Sequence, residues 1–228
     1  LPLHTNYGGL LQAYALQEAL KEIMPGQSVC VIDRKKEWPH IPAWKWPLCL
    51  AKRSIKKVLG IQDVIFVERQ MQREWPVISR NTERFVRTYI NRWEITSFAE
   101  LNRDEIDCFV VGSDQIWRPM YVWKREVETA YLSFAENWKV KRIAYATSFG
   151  TNKWEYTDKQ TEECGKLLQK FDAVSVRESS GVELCEKYLK RSDVFHALDP
   201  TMLLETSRYE ALFDKAETLA SEGSLLVY

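Results

Sequence analysis

The chain predicts an α/β fold built on a mostly parallel sheet with helices on both faces. Three observations lead there. Short apolar runs alternate with amphipathic helical stretches along nearly the whole length. Several of those runs stop abruptly in polar or glycine-containing loops, as buried strands do at the carboxyl edge of a parallel sheet. The 228 residues, 45% of them apolar, supply a real core, in a chain longer than one average domain and shorter than two large ones.

The elements follow in order. Tyr7 to Ile23 reads as a helix, with Ala13, Leu16, Leu20 and Ile23 on one face and Pro25-Gly26 stopping it. Ser28 to Asp33 is a short strand. Arg34 to Leu48 is irregular and rich in Trp and Pro. Leu50 to Gly60 and Val64 to Ile90 read as helical, the second with a break near Pro76. Trp93 to Ile95, Ile106 to Val111, Tyr131 to Phe134, Arg142 to Thr147, Ala173 to Val176 and Val194 to Leu198 read as strands. Asp158 to Lys170, Arg177 to Lys190 and Ser207 to Ala220 read as helices. No internal repeat or low-complexity tract interrupts the series. The chain opens at Leu1 without Met and closes in an apolar run, Ser224 to Tyr228, so both ends read as cut. The expectation is one domain over 1–222, with a basic Trp-rich excursion at 34–57, and the first strand of a second domain at 223–228.

Composition removes several function classes. The 32 basic and 32 acidic residues balance, which argues against nucleic acid as the main partner. No apolar run approaches the ~20 residues of a membrane span, and no signal peptide is recognisable. The five cysteines, Cys30, Cys49, Cys108, Cys164 and Cys185, form no CxxC pair, and no N-x-Ser/Thr sequon occurs. Both fit reduced thiols in a cytoplasmic protein. The three histidines, His4, His40 and His196, sit in no metal-ligand spacing, so no metal site is expected. Ser113 lacks a GxSxG elbow, and neither GxGxxG nor a P-loop is present.

Six stretches carry chemistry. In Gly112-Ser113-Asp114-Gln115-Ile116-Trp117 a strand delivers a hydroxyl, a carboxylate, an amide and an indole within a few residues. That set suits a sugar or other polyol; the structural alternative is a turn capped by Asp114. Asn6-Tyr7-Gly8-Gly9 opens a helix whose free N–H groups and dipole favour an anion, or else Gly-Gly only permits close backbone packing. At Arg177-Glu178 a strand runs into a helix. The Arg fork suits a carboxylate or phosphate, or it pairs with Glu178 or Glu183. In Ala144 to Gly150 a strand ends in Thr147, Ser148 and a glycine, which is also ordinary turn chemistry. Pro200 forces Asp199 out of the helical region and aims its carboxylate past a strand end, as ligand or as cap. Finally, 34–57 holds eight Lys/Arg against one Glu, with Trp38, Trp44 and Trp46 interleaved. That mixture suits an anionic lipid surface or a polyanionic glycan, or a solvated excursion.

Each signal is modest, but their order is specific. Asn6-Tyr7-Gly8-Gly9 with Leu11 to Leu16, then Gly112 to Trp117, then Ala144 to Gly150, then Ser175-Val176-Arg177-Glu178, then Asp199-Pro200-Thr201 resembles the polysaccharide pyruvyl transferase family. The resemblance covers nearly the whole chain except the Trp-rich excursion. It implies two Rossmann-like domains facing each other across a cleft, as in GT-B glycosyltransferases, with this chain as the N-terminal half. It also implies transfer of a pyruvyl group from phosphoenolpyruvate to two hydroxyls of one sugar, giving a cyclic ketal and phosphate. Phosphoenolpyruvate is the donor substrate, and no cofactor is implied. The other partner it implies is a polysaccharide or lipid-linked glycan; the basic Trp-rich composition of 34–57, not the resemblance, adds the expectation of peripheral membrane contact, at the cytoplasmic inner face of the membrane.

On that reading Asp114 and Arg177 are the catalytic candidates. Arg177 binds an anionic group with help from the helix start at Gly8-Gly9. Asp114 hydrogen-bonds or deprotonates an acceptor hydroxyl, positioned by Ser113 and Gln115, with Trp117 lining the wall. Asn6, Tyr7, Gly112, Ser148 and Asp199 complete the substrate-binding set. No proton donor to the methylene carbon stands out. His4 is one candidate and the absent half another, and this piece alone is expected to be inactive. A nucleotide-sugar glycosyltransferase and a non-catalytic glycan-binding domain are the rival readings.

Overall fold

The computed structural model describes residues 3, 5–35, 43–61, 64–122 and 126–213. The expectations for His4, Trp38, His40 and the strand at 223–228 fall outside them. The described chain is a mixed α/β structure with two parallel sheets. The smaller pairs β1 (Val31–Arg34) with β2 (Arg92–Ile95). The larger has the order β3 (Cys108–Gly112), β4 (Lys141–Thr147), β5 (Ala173–Val176), β6 (Phe195–His196), all parallel. Because every strand in it points the same way, four strand ends share one edge.

The helices are α1 (Tyr7–Ile23) before β1, then α2 (Trp46–Val58), α3 (Val67–Ile78), α4 (Arg80–Tyr89), α5 (Asp158–Leu168) and α6 (Ser179–Leu189) between strands, and α7 (Thr206–Glu210) after β6. The main core packs Phe109, Val111, Val174 and Val176 of the sheet against Cys164, Leu168, Leu184 and Leu189 of α5 and α6. A second core joins Leu10, Tyr14 and Ala15 of α1 to Val86 of α4. Gln17, fully buried on α1, locks that contact. Its amide donates to the Tyr89 carbonyl at 3.1 Å, and its oxygen accepts from the Asn91 N–H at 2.7 Å. Two buried arginines act the same way. Arg142 donates to the carbonyls of Val140, Ala135 and Trp138, and Arg191 to those of Leu168 and Phe171. Buried backbone acceptors are thereby paired rather than stranded.

Four elements differ from expectation. Tyr131 to Phe134 is not a strand: Val127–Tyr131 and Ser133–Ala135 are 3-10 turns, joined at Leu132 with a left-handed φ of 60°. An apolar run of that length reads equally as a strand or a buried turn, because burial and not periodicity made it apolar. The helix expected from Leu50 starts at Trp46, with Pro47 in its first turn, where a missing N–H costs nothing. The helical stretch expected over 64–90 begins at Val67, and its break near Pro76 falls at Ser79, with Pro76 itself inside α3. There the Ser79 hydroxyl donates back to the Trp75 carbonyl at 2.8 Å. The last helix is Thr206–Glu210, and residues beyond 213 lie outside the described set.

Candidate functional site

The edge where β3 to β6 end gathers one polar network. Arg177, the residue after β5, is its hub. Its Nη1 donates to the Ser113 carbonyl at 3.0 Å, just past β3, and to Asp199 Oδ2 at 3.3 Å, past β6. Its Nε donates to Glu178 Oε1 at 3.0 Å. That same oxygen accepts from the Ser148 hydroxyl, past β4, at 2.8 Å. The guanidinium thus bonds at the ends of β3, β5 and β6, and Glu178 links it to the end of β4. The pairing with Glu178 that the sequence allowed is real, and so is the longer reach.

Asp199 divides its two oxygens between the two roles considered for it. Oδ1 caps the turn after Pro200, accepting from the Thr201 N–H at 3.0 Å and the Thr201 hydroxyl at 2.8 Å. Oδ2 faces the site, where Gln12 Nε2 donates to it at 2.5 Å beside Arg177. Burial alone would raise its pKa, but the bonds from Thr201, Gln12 and Arg177 outweigh that and hold it below the usual carboxylate range. Burial, and after it the negative charge of Asp199, pushes up the hydroxyls of Tyr145 and Tyr209.

The start of α1 closes the site from another side. Asn6 is its N-cap, with Oδ1 accepting from Gly9 N at 3.1 Å. Tyr7 and Gly8 are exposed. Asp114 Oδ1 accepts from the Gln115 N–H at 2.7 Å. Its Oδ2 lies next to Gly9, only 3.7 Å from where a Cβ there would sit. Lacking an acidic residue in its own first turn, α1 receives the Asp114 carboxylate at its positive end from the β3 loop. Asp114 caps no helix of its own, since 113–117 form bends and turns.

A strained strand end supports the arrangement. Ala146 in β4 has a left-handed φ of 48°, a conformation costing roughly 1–2 kcal/mol for a residue with a Cβ. The β4–β5 register shifts there, between Ala144 and Thr147. The Ser175 hydroxyl holds the irregularity by accepting from the Ala146 N–H at 3.0 Å and donating to the Ala144 carbonyl at 3.2 Å. Such bulges re-aim the residues that follow, here Thr147, which accepts from the Arg177 N–H, and Ser148.

Other expected site residues serve as scaffold. Trp117 lines no wall: its indole is fully buried, stacked on Tyr131 at 4.7 Å, with Nε1 donating to the Ala130 carbonyl. Gly112 makes room for α1, since a Cβ there would lie 2.6 Å from Leu16. The Gln115 side chain folds over Gly150, and its buried oxygen has no hydrogen-bond partner. Ser148 is fully buried between Glu178 and the Gly150 N–H. Ser113 is buried and contributes its carbonyl.

Asn6, Gly9, Asp114, Arg177 and Asp199 therefore come together, joined by two residues the motif reading left out of the site, Gln12 and Glu178. Gln12 was legible as one turn past Gly8 on the helix that opens there. Among the described residues no cluster of His, Cys, Asp or Glu could hold a metal ion, and no helix is long and apolar enough to cross a membrane.

The family model for polysaccharide pyruvyl transferase matches residues 6–221. The chain belongs to the polysaccharide pyruvyl transferase family. The match spans Asn6, Asp114, Arg177 and Asp199, so the network at the sheet edge lies within the family's own domain. Searches of curated proteins and of solved structures returned no match. As a member of this family the chain is a transferase acting on polysaccharide.

Proposed function

We propose that the protein transfers a pyruvyl group from phosphoenolpyruvate to two hydroxyls of one sugar residue, forming a cyclic ketal and releasing phosphate. The observation that carries this is the chemistry of the sheet edge within the matched domain. One guanidinium pairs with two carboxylates, Glu178 and Asp199, with Gln12 beside Asp199 and a third carboxylate, Asp114, at the start of α1. A carboxylate-rich edge favours sugar hydroxyls, which donate hydrogen bonds, over a trianion. The carboxylates of this edge are therefore read as the acceptor side of the reaction, and the Arg177 guanidinium as its border with the donor.

Asp114 acts as the base toward an acceptor hydroxyl. Its Oδ2 is turned to Gly9 rather than spent on the Gln115 N–H. Asp199 stays ionised at neutral pH and orients Arg177. Arg177 Nη2, with no hydrogen bond among the described residues, is the edge that meets the donor's carboxylate or phosphate. Protonation of the donor's methylene carbon gives its C2 oxocarbenium-like character, and the first hydroxyl adds there as its proton passes to Asp114. The second hydroxyl then displaces phosphate from the same carbon. The facing wall of a GT-B-like cleft would bring the further cations the donor needs and the acid for its methylene carbon.

The test incubates the intact protein with phosphoenolpyruvate and a glycan, and in parallel with sugar nucleotides. Phosphate release that depends on the glycan supports the proposal. Nucleoside diphosphate release would make it a glycosyltransferase instead. Glycan binding with neither product would make it a binding domain.

A further inference from the structure

We propose that α2 is a membrane-docking helix that lies on the surface of anionic phospholipid. Leu48, Ala51, Ile55, Val58 and Leu59 follow one another at helical spacing and form a single apolar stripe. An ordinary amphipathic helix buries that stripe in its own core. Here it faces outward: Leu48 is 79% exposed, Ile55 60% and Val58 87%. The opposite face, with Trp46, Cys49, Leu50 and Arg53, is the half-buried one. It is tied to α3 by the fork of Arg53 on Glu68, both bonds 2.7 Å. The helix is therefore anchored to the protein by its polar and mixed side and presents its apolar side to the surroundings.

Charge identifies what covers the stripe. Between 43 and 61 there are five Lys or Arg and no acidic residue. Lys52 and Lys56, one position beyond Ala51 and Ile55, border the stripe, and Lys45 lies at the helix start. A helix with exposed aliphatics rimmed by lysines has the composition of an element that settles into a headgroup layer. A second copy of the chain fits worse, because joining two such stripes would set the lysines of one copy against those of the other. Within the basic excursion, 46–58 is thus an interfacial helix, and this holds whatever chemistry occurs at Arg177.

The intact protein is sedimented with vesicles of phosphatidylcholine alone and with vesicles that also contain phosphatidylglycerol. We expect at least about tenfold tighter binding to the anionic vesicles, weakening as salt rises through the screening range. Free inorganic phosphate should not compete. Leu48→Ser with Ile55→Ser should abolish binding, and Lys52→Gln with Lys56→Gln should reduce it several-fold. Leu48, Lys52 and Ile55 are exposed and Lys56 is half-buried, so unchanged circular dichroism and melting temperature certify the fold. Lys159→Gln with Lys166→Gln, on α5, should leave binding unaltered. Equal or absent binding to the two vesicle types would overturn the proposal. So would a concentration-dependent dimer that Ile55→Ser dissolves.

Discussion

Arg177 donates to Asp199 at 3.3 Å across the gap between the ends of β5 and β6, onto the same carboxylate oxygen that Gln12 reaches at 2.5 Å. This shared oxygen ties the first helix of the chain to the last strand of the sheet, over 187 residues of sequence. It also fixes the guanidinium so that one edge stays available. Arg177→Ala leaves Asp199 and Glu178 without their cation, and activity should fall about 100-fold or more, the scale of losing a preorganised charged donor. Arg177→Lys keeps the charge but cannot span Ser113, Glu178 and Asp199 at once, so it should recover only a small part. Steady-state rates checked against circular dichroism decide this. Turnover within a factor of two of wild type for Arg177→Ala would remove the residue from the site.

Asp199 gives a pH signature. Its folded pKa lies below the ordinary value of about 3.9. The stabilisation it contributes is complete above about pH 4 and is lost as pH falls through the folded value. Urea unfolding of wild type and Asp199→Asn should therefore differ most at neutral pH, with the gap narrowing steadily below about pH 4. A gap that stays constant down to about pH 2 would mean the carboxylate is not held ionised by Gln12, Thr201 and Arg177.

Gly150 is required where it stands. Its φ is +67°, and a Cβ there would meet the Gln115 Oε1 at 2.1 Å and its Cδ at 2.5 Å. Gly150→Ala should cost roughly 1–3 kcal/mol, part from the left-handed conformation and part from the collision. Adding Gln115→Ala should return the collision part and leave about 1 kcal/mol of backbone strain. Thermal melts of the single and double variants separate the two. A double variant no more stable than Gly150→Ala would show that the contact with Gln115 does not matter.

How much of this was legible differs from residue to residue. Parallel strands ending in polar loops can be read from apolar runs that stop at Gly112, Thr147 and Val176, since burial on both faces leaves a continuous apolar signature. Asp114, Arg177 and Asp199 were legible because each follows such a stop. The Arg177–Glu178 pairing was legible from adjacency, and Gln12 only as a polar residue one turn past Gly8. Its bond to Asp199 was not, because no local pattern encodes a contact 187 residues apart. Trp117 failed for the opposite reason. An indole beside a polar loop looks like a stacking wall, but three-dimensional packing placed it under Tyr131 and Phe149 instead.

That reassignment is itself testable. With the indole fully buried, Trp117→Ala should destabilise the protein by about 3–5 kcal/mol. Trp117→Phe keeps a ring against Tyr131, loses the bond to the Ala130 carbonyl, and should cost about 1–2 kcal/mol. In the Phe variant the rate per folded molecule should remain near wild type. A normal melting temperature combined with a large rise in KM for the glycan would instead place the indole at the substrate.

The central claim is a coupled transfer, and product stoichiometry tests it most directly. Intact protein is incubated with phosphoenolpyruvate and a glycan, free phosphate is counted, and pyruvyl ketal on the glycan is quantified by mass spectrometry. The proposed reaction requires one ketal for each phosphate, with both lost together in Arg177→Ala. Phosphate without ketal, or ketal formation untouched by loss of Arg177, would contradict it.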